Sequence, residues 1–210
     1  MKKKNSGFTL IEVVVVLAVV AILAAILTPN IVKSINDSKI ARATNEAQVI
    51  AASMGTFYKD LGRWPTKQNT ADTGNHYYML YGSGNTMSTG GNSSRWAKDG
   101  STWAANKDDF NNHLSRNTPG GAITSINQYP ITGQFKWNGP YITKVEADPW
   151  GTHYSCNVIS FWYNDTYKNY AIYVLSAGED MAANTLYNQS ISDPANEPEL
   201  TGDDIGFRMK

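Results

Sequence analysis

One cysteine, Cys156, and three histidines are the only thiol and imidazole groups among 210 residues. No intrachain disulfide is possible, and the lone thiol lacks the partner set of a zinc site. His76, His113 and His153 do not form H-E-x-x-H, and there is neither a G-x-S-x-G elbow nor a phosphate loop. An enzyme is not expected. Eighteen basic and 18 acidic residues cancel, so there is no basic field to hold nucleic acid. No internal repeat is evident.

What the chain does have is a long apolar run behind a basic start. Lys2, Lys3 and Lys4 precede Gly7, and residues 8–27 contain fourteen Phe, Leu, Ile or Val, with Thr9 and Glu12 as the only polar side chains. As a helix this run is long enough to cross a bilayer. The fourteen apolar residues favour insertion by about 4 to 8 kcal/mol, against roughly 3 kcal/mol for one carboxylate at mid-membrane, so Glu12 is tolerated. Valines 13 to 16 are poor helix formers in water, but hydrocarbon has no partner for free backbone groups and imposes the helix. The lysines would hold the N-terminus in the cytoplasm.

Beyond Pro29 the pattern turns amphipathic. Ile40, Ala43, Ala47, Ile50, Met54, Phe57 and Leu61 recur at spacings of three and four, which marks one helix face. One helix over 8–61 would be about 80 Å long, its transmembrane part 8–28, with a kink expected at Pro29. Gly62 and the Trp64-Pro65 pair supply the stop. From 67 to 129 the chain is rich in Gly, Ser, Asn and Thr and reads as loops, with turns at Gly82-Ser83-Gly84 and Gly90-Gly91 and a short helix at 108–115. Residues 154–161 and 167–175 alternate aromatic and β-branched side chains and read as strands. The fold class is α+β, a long helix packed on a small antiparallel sheet.

A secretory signal would end in a small-residue A-x-A site, and Ala18, Ala21, Ala24 and Ala25 never give that spacing. Instead, a short basic leader ending in Gly7, followed by Phe8-Thr9-Leu10-Ile11-Glu12, resembles the processing site of type IV prepilins and pseudopilins. Four later strings resemble the major pseudopilin of type II secretion systems: Gly62-Arg63-Trp64-Pro65-Thr66; Trp137-Asn138-Gly139-Pro140-Tyr141-Ile142; Asp148-Pro149-Trp150-Gly151-Thr152-His153-Tyr154; and 170–180 with Asp203-Asp204-Ile205-Gly206. The stretch 67–129 departs from that family as an insertion in a head that spans 62–210.

The resemblance implies a pilin-like fold and removal of leader 1–7 by a prepilin peptidase that cuts between Gly7 and Phe8 and methylates the new amino group. The trimmed chain keeps 15 basic against 18 acidic residues, a net charge of about −3. It also implies a single-pass protein of the inner (cytoplasmic) membrane with its head in the periplasm or outside. Membrane lipid surrounds it before assembly. It then polymerises with itself and other pseudopilins on an inner-membrane assembly platform, into a filament that drives protein export across the outer membrane. Glu12 of one copy would meet the Phe8 amino group of the next, since opposite charges attract far more strongly in low dielectric.

The acidic C-terminal loop, 176–206, opens a segment in which seven carboxylates face only Arg208 and Lys210. The resemblance implies a Ca²⁺ there, held by Asp180 and Asp204, with Asp203 third and carbonyls of Leu175 and Ser176 completing an oxygen shell. A solvated acidic loop is the plain alternative. Trp64, Trp137 and Trp150 read as cover for the helix, whereas Trp96, Trp103, Tyr77, Tyr78 and Tyr81 are core or a partner surface. A type IV pilus subunit for adhesion, motility or DNA uptake shares the same N-terminus, and a membrane-anchored binding domain that never polymerises is the third reading. The head strings and the lone cysteine favour the pseudopilus, because type IV pilins often close their C-terminal region with a disulfide.

Overall fold

The computed structural model describes residues 7–67, 76–89, 96, 106–121, 128–161, 168–192 and 197–210. Helix α1, Leu10–Leu61, runs through Pro29. The strands are β1 (Met79–Tyr81), β2 (Ser88–Thr89), β3 (Lys107–Asp109), β4 (Ser155–Cys156), β5 (Tyr173–Ser176), β6 (Ala182–Ala183) and β7 (Ile205–Arg208), with a short helix α2, Phe110–Leu114. The chain divides into two compact units, residues 1–39 and 40–210.

In the first unit the helix carries exposed Leu, Ile and Val on all sides. Pro29 has no amide hydrogen to offer the preceding turn. The helix beside it is supplemented by side chains, with Thr28 Oγ1 donating to Ala24 O at 2.7 Å and Asn30 Nδ2 to Ile26 O at 3.5 Å.

In the second unit the expected face of α1 is buried at Ala43, Ala47, Ile50, Met54, Phe57 and Leu61, while Ile40 stays exposed. The helix ends where Gly62, at φ +66°, turns left-handed and donates its amide to Tyr58 O at 2.7 Å. The main sheet has the order β3-β1-β4-β5-β7. It is mixed, not purely antiparallel: β1 pairs with β3 in parallel, Leu80 opposite Asp108, and the other pairs are antiparallel. A parallel pair needs a crossover, and the chain between β1 and β3 provides it. There β2 pairs with β6 in a second, two-stranded sheet.

The described part of stretch 67–129 is thus woven into the head. It gives two of the five strands and buries Met79, Leu80, Met87, Trp96, Phe110 and Tyr129. Alternation along the strands builds two apolar clusters. Leu80, Cys156 and Val174 face Ala47, Met54 and Phe57 of α1. Met79, Tyr173 and Leu175 face the other way, onto Trp96, Ala183 and Tyr187.

Two strand expectations are corrected. Over 154–161 only Ser155–Cys156 is strand, and Val158–Phe161 is a 3₁₀ turn. The buried Asn157 side chain takes over the ladder, accepting from Tyr173 N at 2.8 Å and donating to Ala171 O at 2.7 Å and Tyr187 O at 3.2 Å. An amide that mimics backbone keeps the Tyr173 amide and the Ala171 and Tyr187 carbonyls paired where the chain leaves the sheet. Over 167–175 the strand begins only at Tyr173. The short helix expected at 108–115 is α2, capped by the Asp109 carboxylate accepting from Asn111 N at 2.8 Å.

The aromatic expectations divide similarly. Trp64 stacks between Tyr58 and Phe161, with ring centroids at 4.6 and 3.8 Å, and Trp137 donates Nε1 to His113 O at 3.0 Å. Both pack against the helix-side cluster. Trp150 belongs to neither cluster. Trp96 is fully buried and donates Nε1 to Thr185 O at 2.8 Å, which makes it core. Tyr77 is buried in the helix-side cluster, and Tyr78 and Tyr81 pack on the other. Trp103 and Gly90-Gly91 lie outside the described residues.

Candidate functional site

The N-terminal site is built by a reciprocal helix cap. Thr9 stands just before α1 and Glu12 is its third residue. Glu12 Oε2 accepts from Thr9 N at 2.8 Å and from Thr9 Oγ1 at 2.7 Å, while Thr9 Oγ1 is 3.4 Å from the Glu12 amide it caps. This is a T-x-x-E capping box, which also places the carboxylate at the positive end of the helix dipole. Glu12 therefore has a partner within its own chain, so an isolated copy does not leave it bare. Both contacts use Oε2. Phe8, the expected new N-terminus, is 90 % exposed beside it. Thr9 was not singled out from the sequence, although the threonine three residues before a glutamate, at the head of an apolar run, is the signal that finds it.

The second site is the closing loop. Gly178, at φ +69°, lies so close to Asp203 that a Cβ would overlap the Asp203 carbonyl. Asp203 Oδ2 accepts from Asp180 N at 2.9 Å, and Asp180 Oδ1 from Ala182 N at 2.7 Å. Asp204 is buried, and its Oδ2 accepts from Asn184 N at 2.9 Å and Thr185 N at 2.6 Å. Its Oδ1 is buried with no hydrogen-bond partner. Burial raises the Asp204 carboxyl above the usual range, against the Thr185 and Asn184 donors, and neighbouring Asp203 adds to the rise. Leu175 and Ser176 lie on β5 opposite Gly206 and Ile205, just past this pair.

The structure thus gathers Asp180, Asp203 and Asp204 on one loop system and ties them through backbone amides. Among the described residues no three His, Cys, Asp or Glu side chains converge as a metal-binding group. The donor chemistry fits a hard cation at one atom, the orphaned Asp204 Oδ1.

A third carboxylate, Asp148, holds the head together. It accepts from Trp150 N at 3.0 Å, Thr152 N at 2.8 Å, Thr152 Oγ1 at 2.5 Å and Ser176 Oγ at 2.6 Å. These bonds pin the 148–152 turn to β5 just before the closing loop. The polar partners of α1 do similar work, as Tyr154 donates to Glu46 at 2.8 Å and Tyr141 to Asp60 at 3.1 Å. Buried Asp108 is shared by the Gly120 amide at 2.6 Å, Asn112 Nδ2 at 2.6 Å and His113 Nε2 at 2.9 Å. Burial opposes its ionisation, but His113 and these donors outweigh burial and hold the carboxyl below its ordinary value.

An apolar helix opened by the Thr9–Glu12 capping box, together with an α+β head, is a pilin-like architecture. Residues 2–28 match the prokaryotic N-terminal methylation motif. The chain is 33% identical over 67 residues to type II secretion system core protein G of Pseudomonas aeruginosa, covering 32% of this chain and 47% of that one. It is 35% identical over 71 residues to fimbrial protein EcpC of Eikenella corrodens (34% and 46%). It is 33% identical over 78 residues to type IV major pilin protein PilA of Myxococcus xanthus (35% and 36%). The chain spans half or less of the length of the curated relatives it matches. No solved structure matches. Among the described residues one helix is long and apolar enough to cross a membrane.

Proposed function

We propose that this chain is a structural subunit of a type II secretion pseudopilus, cut between Gly7 and Phe8, methylated on Phe8, and polymerised from the inner membrane into a filament that drives protein export. The observation that carries the reading is the N-terminal methylation motif on an apolar run, residues 8–27, whose one carboxylate, Glu12, is fixed at the start of α1. The capping box engages Oε2 and leaves Oε1 for the Phe8 ammonium of the neighbouring copy. Each charge then removes the other's penalty, and breaking such a pair costs about 3 to 5 kcal/mol. Repetition of that head-to-tail contact gives an open helical filament. Its partners are further copies, other pseudopilins, the prepilin peptidase and the assembly platform.

The test is Glu12→Ala in the full chain. Membrane insertion should stay intact and filament yield should collapse; normal yield sinks the mechanism. A type IV pilus subunit is the second reading, and the similarity to EcpC and PilA supports it. Isolated surface filaments made of this chain, retracting in live cells, would favour that reading. A chain that forms no filament in its native membrane would favour a solitary anchored binding domain.

A Ca²⁺ on the closing loop belongs to the same proposal. Asp204 Oδ1 is its anchor, and Asp180, Asp203 and the carbonyls of Leu175 and Ser176 are candidates to complete the shell. When bound, the ion would supply the positive charge that the buried carboxylate lacks, and so lock the C-terminal strand β7 to β5.

A further inference from the structure

Where α1 ends, the head opens a cavity of about 380 Å³, a size usual for small-molecule sites. Arg63, Lys67 and His76 line it, and among the described residues no carboxylate does. Arg63 is exposed, whereas Thr66, Lys67 and His76 are buried. The polar side of the cavity is built by the backbone. Lys67 and His76 form an antiparallel bridge, and Tyr77 N donates to Thr66 O at 2.7 Å. Thr66 Oγ1 lies 3.0 Å from His76 Nδ1, which fixes the imidazole. The other side is aromatic, the stacked series of Tyr58, Trp64 and Phe161, in which Tyr58 is 44% exposed.

We propose that this cavity binds a small phosphate monoester carried on a ring, with the phosphate on Arg63 and Lys67 and the ring against the Tyr58 and Trp64 side. The sign follows from the charges present. The C-terminal end of α1 brings about half a negative charge, and Arg63 and Lys67 bring two positive ones. The cations win, by about one and a half charges. A carboxylate supplies one negative charge, whereas a phosphate monoester supplies about 1.5 to 2 at neutral pH and so matches the surplus. The two cations divide the work: the planar Arg63 fork suits phosphate oxygens, and Lys67 acts as a point charge. The Lys67 ammonium lies 3.4 Å from Gln128 O and 5.6 Å over the Tyr129 ring. Both of those groups are neutral, and a buried ammonium gains most from an anion beside it. A bound ester would tie the end of α1 to Phe161 and to the 66–67 and 76–77 bridge, and so stabilise the head by mass action.

The experiment is titration calorimetry of phenyl phosphate into the full chain in phosphatidylcholine nanodiscs, corrected for empty discs. Saturable binding of one ester per chain is expected. Inorganic phosphate, which lacks the ring, and benzoate, which lacks the second charge, should each bind about tenfold more weakly, and benzyl alcohol should show no saturable binding. Arg63→Gln should weaken phenyl phosphate at least about tenfold. Because Arg63 is exposed, that variant should keep the melting midpoint of the ligand-free chain. A free ester and a lipid headgroup share this chemistry, so glucose 6-phosphate in solution and phosphatidic acid in the discs are the two competitors. Displacement by the first assigns the site to a soluble ester, and displacement by the second alone assigns it to a headgroup. No saturable binding, equal binding of benzyl alcohol, or unchanged binding to a folded Arg63→Gln chain overturns the site. Equal affinity for inorganic phosphate or benzoate overturns the ligand class. The site is independent of polymerisation, so any of these results leaves the filament reading standing.

Discussion

The two parts of α1 meet opposite requirements. Up to Ile35 the large apolar residues are exposed all round, between 49% and 83% from Leu10 on, and no core residue lies in this part. From Ala43 the helix buries one stripe and turns polar side chains outward. A helix apolar on every side asks for a solvent of hydrocarbon or of other helices, whereas a striped one asks for a sheet. The first part is therefore adapted to contacts outside the chain, and the second to contacts within it.

Truncation separates the two most strongly. Phe57→Ala removes a fully buried ring that meets Tyr129 and Tyr141 edge-on at 4.8 and 5.4 Å, and should cost the head about 3 to 5 kcal/mol in thermal or denaturant unfolding. Leu17→Ala, in the exposed part, should leave the head's melt unchanged. A matching loss from Leu17→Ala would erase the distinction.

A smaller effect is expected from the closing loop. Because burial raises the Asp204 carboxyl in the folded head, its protonated form favours folding. That contribution is present in acid and is lost as pH rises through the raised value. At neutral pH the ionised group opposes folding, and a cation bound there would relieve it. Calcium at a hundredfold excess over its Kd should then raise the head's Tm by about 5–10 °C relative to chelator. Asp204→Asn should abolish that response. Equal midpoints with calcium and chelator would remove the metal from the account.

Periodic features were the legible ones. The apolar run, the buried stripe of α1, its stop at Gly62 and the Asp109-capped α2 all follow from neighbours close in sequence. What stayed hidden depends on partners far apart. Asn157 ends a strand because it meets the backbone of Tyr173 and Tyr187. Trp96 joins the core with its indole N–H donated to the Thr185 carbonyl, and β3 pairs with β1 in parallel across a wide gap in sequence. Asp148 was visible as part of a family-like string. That its carboxylate gathers four donors could not be read from spacing, since Ser176 comes from another strand. At the N-terminus the reverse holds: the Thr9 and Glu12 spacing is legible as a cap from the sequence alone.

The central claim is that the chain is trimmed and modified at its capped N-terminus so that Glu12 can receive a neighbour's amine. Intact-mass and N-terminal peptide measurement on protein taken from its native membrane tests this most directly. The account predicts a chain that begins at Phe8 with a methylated amino group. A chain that retains Lys2, Lys3 and Lys4 ahead of Gly7 would contradict it.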